Sequence, residues 1–241
     1  MTQPLPNPAL SSAPANPRNP PPRWRLAVEC VLLFFGMPLA LTFGLPGRPV
    51  LPWLWIVALG CLLFLRAQYD FDAHVLSRHV CARGVWRRPL LRFAIAAPLL
   101  VGFLLAIRSA WFLNLPRERP VVWLAVILLY PLLSAAPQGI VYRVFFFHRY
   151  RNLFQGPRTM ILASAIAFAF AHIVFRNPYA VALTLGGGLL FAGTYARTRS
   201  FGVSTAEHAL YGDWLFTVGY GPFLYHGTLA TLQQLTHHAR W

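Results

Sequence analysis

The chain contains no lysine, so all 21 of its basic residues are arginine, and only six residues are acidic. Charged residues make up 11% of the 241 positions, whereas soluble domains are about a quarter charged. This scarcity of charge excludes an ordinary soluble domain. Hydrophobic residues make up 57% of the chain, which favours a protein embedded in a membrane.

Cysteine is also scarce. Cys30, Cys61 and Cys81 are odd in number and widely spaced, so the sequence predicts neither a disulfide framework nor a zinc site. The chain lacks the His-Glu-x-x-His, Gly-x-Ser-x-Gly and phosphate-loop patterns. We therefore expect no cofactor. A metal held by two histidines from separate helices would lack a third evident ligand.

Seven apolar segments approach the roughly 20 residues that one membrane-crossing helix needs. They lie at about 26–45, 50–65, 93–113, 120–136, 159–175, 178–196 and 201–219. The second and third are short or interrupted, and the last carries Glu207 and Asp213. We predict an all-α fold, a polytopic transmembrane helical bundle of about seven spans.

Arginines concentrate on alternate sides of these segments: before the first, between the second and third, after the fourth and after the sixth. The positive-inside rule then places the N-terminus in the cytoplasm. Orientation in the membrane also explains the net charge of +15, so we expect the lipid bilayer and no nucleic acid as a partner. The absence of lysine is typical of a GC-rich bacterial genome, which indicates a multi-pass protein of the bacterial inner membrane.

Three regions differ in composition. Residues 1–25 are polar and rich in proline without a signal-peptide pattern, which predicts a disordered cytoplasmic tail. Residues 26–226 form the membrane-embedded helical domain, and 227–241 form a short His-rich tail. Gly188 and Ala192 have the spacing that allows close helix approach in lipid, which predicts packing rather than chemistry.

Arg143 lies next to an apolar segment, where an ionisable side chain is costly and indicates a site. A carboxylate one helical turn earlier would pair with it, because residues four apart share a helix face. The chain has Gln138 and Gly139 there instead, so Arg143 has no local anion. The alternative is that its side chain extends to the cytoplasmic headgroups.

Two histidines lie in apolar segments. His172 follows Phe168 by one turn, and on its own it would be read as a packed residue bonded to a neighbouring helix. His208 is adjacent to Glu207 and close to Asp213. Three ionisable groups within seven residues of one span are difficult to explain by packing alone.

In order and spacing, these residues resemble the CAAX-protease and bacteriocin-processing family of intramembrane endopeptidases, also called the Abi family. Its signature is Glu-Glu-x-x-x-Arg, then Phe-x-x-x-His, then a His followed four residues later by Asn or Asp. The positions that align are Gln138, Gly139 and Arg143; Phe168 and His172; and His208 with Gly212, Asp213 lying one residue beyond. The resemblance covers about 120–226.

The resemblance implies that a glutamate activates a water for attack on a peptide carbonyl, while the histidines and the asparagine position the water and stabilise the oxyanion. The candidate catalytic residues are then His172, His208, Arg143, Gln138, Glu207 and Asp213. The neutral Gln138 can hold a water but cannot act as a base, and Gly139 offers only space. If another carboxylate acts as the general base, it would have to be that of Glu207 or Asp213, and helix geometry does not favour either.

The leading hypothesis is an intramembrane endopeptidase that hydrolyses a membrane-associated protein or peptide. The alternative is a catalytically impaired relative that binds a membrane peptide, as a pseudoprotease or in an immunity-type role. It is motivated by the loss of both motif glutamates. A third, less favoured hypothesis is a small transporter that uses the buried ionisable residues as a relay.

Overall fold

The computed structural model of the chain describes residues 21–44, 50–78 and 84–224. These residues are 85% helical and contain no strand, which confirms the all-α prediction. The predicted His-rich tail and residues 1–20 of the predicted N-terminal tail lie outside the described residues. The first helix begins at Arg23, so residues 23–25 of that predicted tail are helical.

The helices are numbered α1 to α9 in chain order over the described residues. They are α1 Arg23–Gly44, α2 Val50–Arg66, α3 Arg87–Trp111, α4 Asn114–Glu118, α5 Pro120–Arg149, α6 Pro157–Phe175, α7 Pro178–Thr198, α8 Phe201–Val218 and α9 Gly221–Leu224. A short 3₁₀ turn, Ala73–Leu76, lies between α2 and α3.

Five of these helices (α1, α3, α5, α6 and α7) are long and apolar enough to cross a membrane, within the part of the chain that the structure describes. Each of the seven predicted segments corresponds to a helix, but two do not meet this criterion. Helix α2 is apolar but has only 17 residues. Helix α8 carries Glu207 and Asp213 on 18 residues. The chain is an integral membrane protein.

Helix α5 carries Gln138 and Arg143 of the candidate site. It does not end at Pro137 but continues to Arg149. The helix runs for 30 residues and contains two wide π-helical segments, Pro131–Ala135 and Ile140–Phe145. A proline removes one backbone donor from a helix, and a π turn accommodates the resulting shift in pairing.

Helices α6 and α7 pack closely, as the small residues predict. A Cβ atom on Gly188 would lie 3.0 Å from the Cα of Ala165 and 3.1 Å from Cδ1 of Phe168. A side chain at this position would require Ala165 or Phe168 to move by a few tenths of an ångström. The contact fixes Phe168, which becomes the centre of the candidate site.

Two ion pairs fasten the C-terminal end of α5 to its surroundings. Glu29 of α1 accepts hydrogen bonds from Arg149 Nε at 2.8 Å and from the Tyr150 hydroxyl at 3.1 Å. Asp70, in the loop after α2, pairs with Arg151. The hydrogen bond from Arg151 holds the pKa of the Asp70 carboxyl below its usual range. These contacts hold α1 and the loop against α5.

Candidate active site

Three polar side chains from three helices meet around the buried ring of Phe168. The Arg143 guanidinium lies 4.5 Å from the ring centroid. The ring centroids of His172 and His208 lie 4.7 Å and 5.3 Å from it. The structure therefore brings together Arg143 from α5, His172 from α6 and His208 from α8.

Arg143 is turned into the protein, with 2% of its surface exposed, so its side chain does not extend to the headgroups. Its Nη1 donates to the backbone carbonyl of Gln138 at 3.3 Å, and Nη2 has no hydrogen-bond partner among the described residues. The cation also faces Phe191 at 5.3 Å. Cation–π contacts offset only part of the cost of burying a charge, so the site keeps a cation that no hydrogen-bonded carboxylate neutralises.

His172 lies where α6 tightens into its final 3₁₀ turn. The backbone N–H of His172 bonds to Ala169 and not to Phe168, so the Phe168 carbonyl is free to accept from the side chain. Nδ1 of His172 lies 2.7 Å from that carbonyl oxygen. A carbonyl only accepts, so Nδ1 carries the proton. In the neutral ring Nε2 is then the unprotonated nitrogen, which can act as a base.

His208 is 5% exposed and stacks on Phe191 with 4.7 Å between ring centroids. Its Nε2 lies 3.0 Å from the hydroxyl oxygen of Tyr130, and its Nδ1 has no hydrogen-bond partner in the described part of the chain. Tyr130 was not among the site residues predicted from the sequence. A tyrosine in an apolar helix carries no signal of its own, because its contact comes from a distant helix.

Gln138 is buried on α5. Its Nε2 donates to Ser134 Oγ at 2.8 Å, and its Oε1 has no partner among the described residues. The neighbouring Gly139 faces α8 without free space. A Cβ atom there would lie 2.9 Å from Cε2 of Phe201 and would also overlap Thr205 Oγ1. Side chains of α8 thus occupy the space that a glutamate of the family motif would need at position 139.

Gly212 of α8 has no free space on the side that faces α5, just as Gly139 of α5 has none on the side that faces α8. A Cβ atom on this α8 residue would lie 2.5 Å from the Tyr130 hydroxyl oxygen and would overlap the ring. Helices α5 and α8 therefore run antiparallel in close contact, and a glycine of each receives side chains of the other. The Trp123 indole also donates to Thr217 of α8 at 2.9 Å.

The two acidic candidates are placed differently from the histidines. Glu207 is fully buried, and its Oε1 lies 3.9 Å from Nη1 of Arg92 on α3. Asp213 has a buried Oδ1 without a hydrogen-bond partner. Within the described ranges neither carboxylate hydrogen-bonds to a histidine of the site, so the geometry does not make either one the base. The same ranges hold no group of three or more His, Cys, Asp or Glu residues suited to a metal.

Residues 120–212 match the family model described as Type II CAAX prenyl endopeptidase Rce1-like. No curated protein and no solved structure gives a match. The matched segment begins with α5 and ends at Gly212, so it contains every polar side chain that meets at Phe168. The predicted family resemblance is confirmed over this segment, and the family is one of membrane proteases.

Proposed function

We propose that this protein is an intramembrane endopeptidase of low turnover in the bacterial inner membrane. Its substrate is a peptide bond of a membrane-associated protein or peptide, and the nucleophile is water. The observation that supports this proposal is the group of Arg143, His172 and His208 around Phe168. The group includes an acceptor nitrogen, and it lies within the segment that matches a protease family.

In the proposed reaction, His172 Nε2 accepts a proton from water while the water oxygen attacks the peptide carbonyl carbon. Gln138 Oε1, which is buried without a partner, accepts the second hydrogen of that water. The carbonyl oxygen becomes an oxyanion, which His208 and the Arg143 cation stabilise. The imidazolium of His172 then returns its proton to the leaving amine as the carbon–nitrogen bond breaks.

The missing carboxylate limits the rate. General-base catalysis contributes typically about 10²–10⁴-fold, and a neutral imidazole beside a buried cation replaces only part of that contribution. The electrostatic part remains, because Arg143 and His208 are held in place before the reaction starts. We therefore expect slow but specific cleavage.

The test compares native protein with His172→Asn in liposomes containing a library of membrane-anchored peptides, some with a prenylated cysteine. Asparagine places an N–H where His172 has Nδ1, so the bond to Phe168 is kept and Nε2 is lost. His74→Asn in the exposed loop after α2 is the matched control. Products are read by mass spectrometry in H₂¹⁸O, which labels the new carboxyl group.

We expect labelled products from the native protein and from His74→Asn. His172→Asn should yield at least about 10²-fold less labelled product. Equal product from the native protein and His172→Asn would exclude the proposed chemistry. Thermal midpoints in detergent show whether the variants remain folded.

A second candidate function is peptide binding without cleavage, as expected for a pseudoprotease. The contacts of Phe201 and Thr205 with Gly139 favour it, because they occupy the position of the missing glutamate. Under this hypothesis photo-crosslinking peptides label the native protein and are recovered intact. Cleavage that depends on His172 would rule it out.

A further inference from the structure

We infer that Tyr130 is a positioning residue that holds His208 in the tautomer with the proton on Nδ1. That N–H is then a buried donor available to a carbonyl oxygen of the substrate. The catalytic consequence rests on the proposed function, whereas the tautomer is a property of the folded protein alone.

Counting hydrogens decides the direction of the bond between Tyr130 and His208. If the hydroxyl donates to Nε2, the tyrosine proton is used and only the Nδ1–H of His208 is unpartnered. If Nε2–H donates instead, both the tyrosine proton and the Nδ1 lone pair lack partners among the described residues. Each unsatisfied buried group is costly, so the first arrangement is favoured.

The position of the tyrosine ring is fixed from two sides. Gly212 leaves no gap beneath the ring, since a Cβ atom there would overlap it. Phe216 packs edge-on against it with 5.5 Å between centroids. The rings of Tyr130 and His208 are perpendicular, at 90°. The hydroxyl is thus held against Nε2 by packing as well as by the hydrogen bond.

The two histidines then have opposite hydrogen-bonding roles. The Phe168 carbonyl fixes the proton of His172 on Nδ1 and leaves Nε2 as an acceptor. The Tyr130 hydroxyl donates to Nε2 of His208, so the Nδ1–H of that ring remains as a donor. Hydrolysis by water requires one acceptor for the water proton and one donor for the oxyanion. The site has both without any carboxylate.

The test is ¹⁵N NMR of full-length protein labelled on histidine, with the His208 signals assigned through His208→Gln. The chemical shift of each ring nitrogen shows whether it is protonated. We expect protonated Nδ1 and unprotonated Nε2 in the native protein. Tyr130→Phe removes only the hydroxyl and should abolish this preference. Tyr211→Phe is the control, because it removes a buried hydroxyl of α8 that has no hydrogen-bond partner in the described residues.

Gly212→Ala tests the same bond from the other side. The added methyl group displaces the Tyr130 ring, so the His208 signals should change as in Tyr130→Phe. Gly186→Ala, where nothing lies within 4 Å of the new atom, should leave them unchanged. A native His208 that is protonated on Nε2, or one that is unaffected by Tyr130→Phe, would overturn the inference.

Peptide cleavage provides a separate readout. Tyr130→Phe should lower kcat by about 10²-fold, the effect of losing one oriented oxyanion donor, with little change in KM. Unchanged kcat in a cleaving protein would refute the positioning role. If the native protein cleaves nothing, the proposed function fails, whereas the NMR result still decides whether Tyr130 sets the tautomer.

Discussion

Gly139 gives the sharpest test of how this site is built, because the family motif has a glutamate at its position. The simplest restoration experiment, Gly139→Glu, assumes that the glutamate has room. The structure indicates that it does not. The first side-chain atom would lie 2.9 Å from the ring of Phe201 and would overlap Thr205 Oγ1. We therefore predict that Gly139→Glu destabilises the protein and does not increase cleavage.

The magnitude can be worked out with alanine. Overpacking a filled core costs about 1–3 kcal/mol. Replacing a helical glycine by alanine stabilises the helix by about 0.5–1 kcal/mol, which offsets part of that cost. Gly139→Ala should thus destabilise the protein by up to about 2.5 kcal/mol, and Gly186→Ala, which meets nothing within 4 Å, should be neutral or stabilising. At about 2–4 °C per kcal/mol for a chain of this size, the two thermal midpoints in detergent should differ measurably.

Removing the obstructing side chains of Phe201 and Thr205 tests whether a glutamate at position 139 can increase cleavage. In a Phe201→Ala, Thr205→Ala background, Gly139→Glu should be tolerated and should raise cleavage, up to the roughly 10²–10⁴-fold that a general base supplies. Gly139→Gln in the same background is the control, since it has the same shape and no base. A single Gly139→Ala variant as stable as Gly186→Ala would refute the packing argument.

Two further predictions follow from the same contacts. Glu207→Gln should change peptide cleavage less than twofold in the mass-spectrometric assay, because its carboxylate faces Arg92 and not the histidines; a loss comparable with that of His172→Asn would make Glu207 the base. Gly188→Ala should lower the thermal midpoint relative to Gly186→Ala, because its Cβ atom would lie 3.0 Å from the backbone of α6; equal midpoints would show that the two helices separate easily.

The fold was largely predictable, because length and hydropathy specify membrane helices directly. Lipid cannot satisfy backbone groups, so an apolar run of sufficient length must be helical. The number of spans was less certain for a physical reason. Helix α8 is surrounded by other helices, and its ionisable residues Glu207 and His208 are buried in protein and not exposed to lipid. Hydropathy cannot distinguish these two environments.

The site was predictable only in part. The family resemblance carried by Arg143, Phe168, His172 and His208 predicted a common site, and their side chains do meet. The role of Tyr130 could not be predicted, because it depends on the register of α5 against α8. A glycine at a motif position indicates that some other group fills the space, but the identity of that group is determined by tertiary packing.

The two glycines are best understood as one structural change. Gly139 admits Phe201 and Thr205 of α8, and Gly212 admits Tyr130 of α5. Both contacts depend on the same close approach of α5 and α8, so a side chain at either glycine would move α8 and the His208 that it carries. The helix contact that excludes the glutamate thus also places Tyr130 against His208. Single replacements at either glycine should therefore disturb both ends of the contact, and their effects on stability should be less than additive.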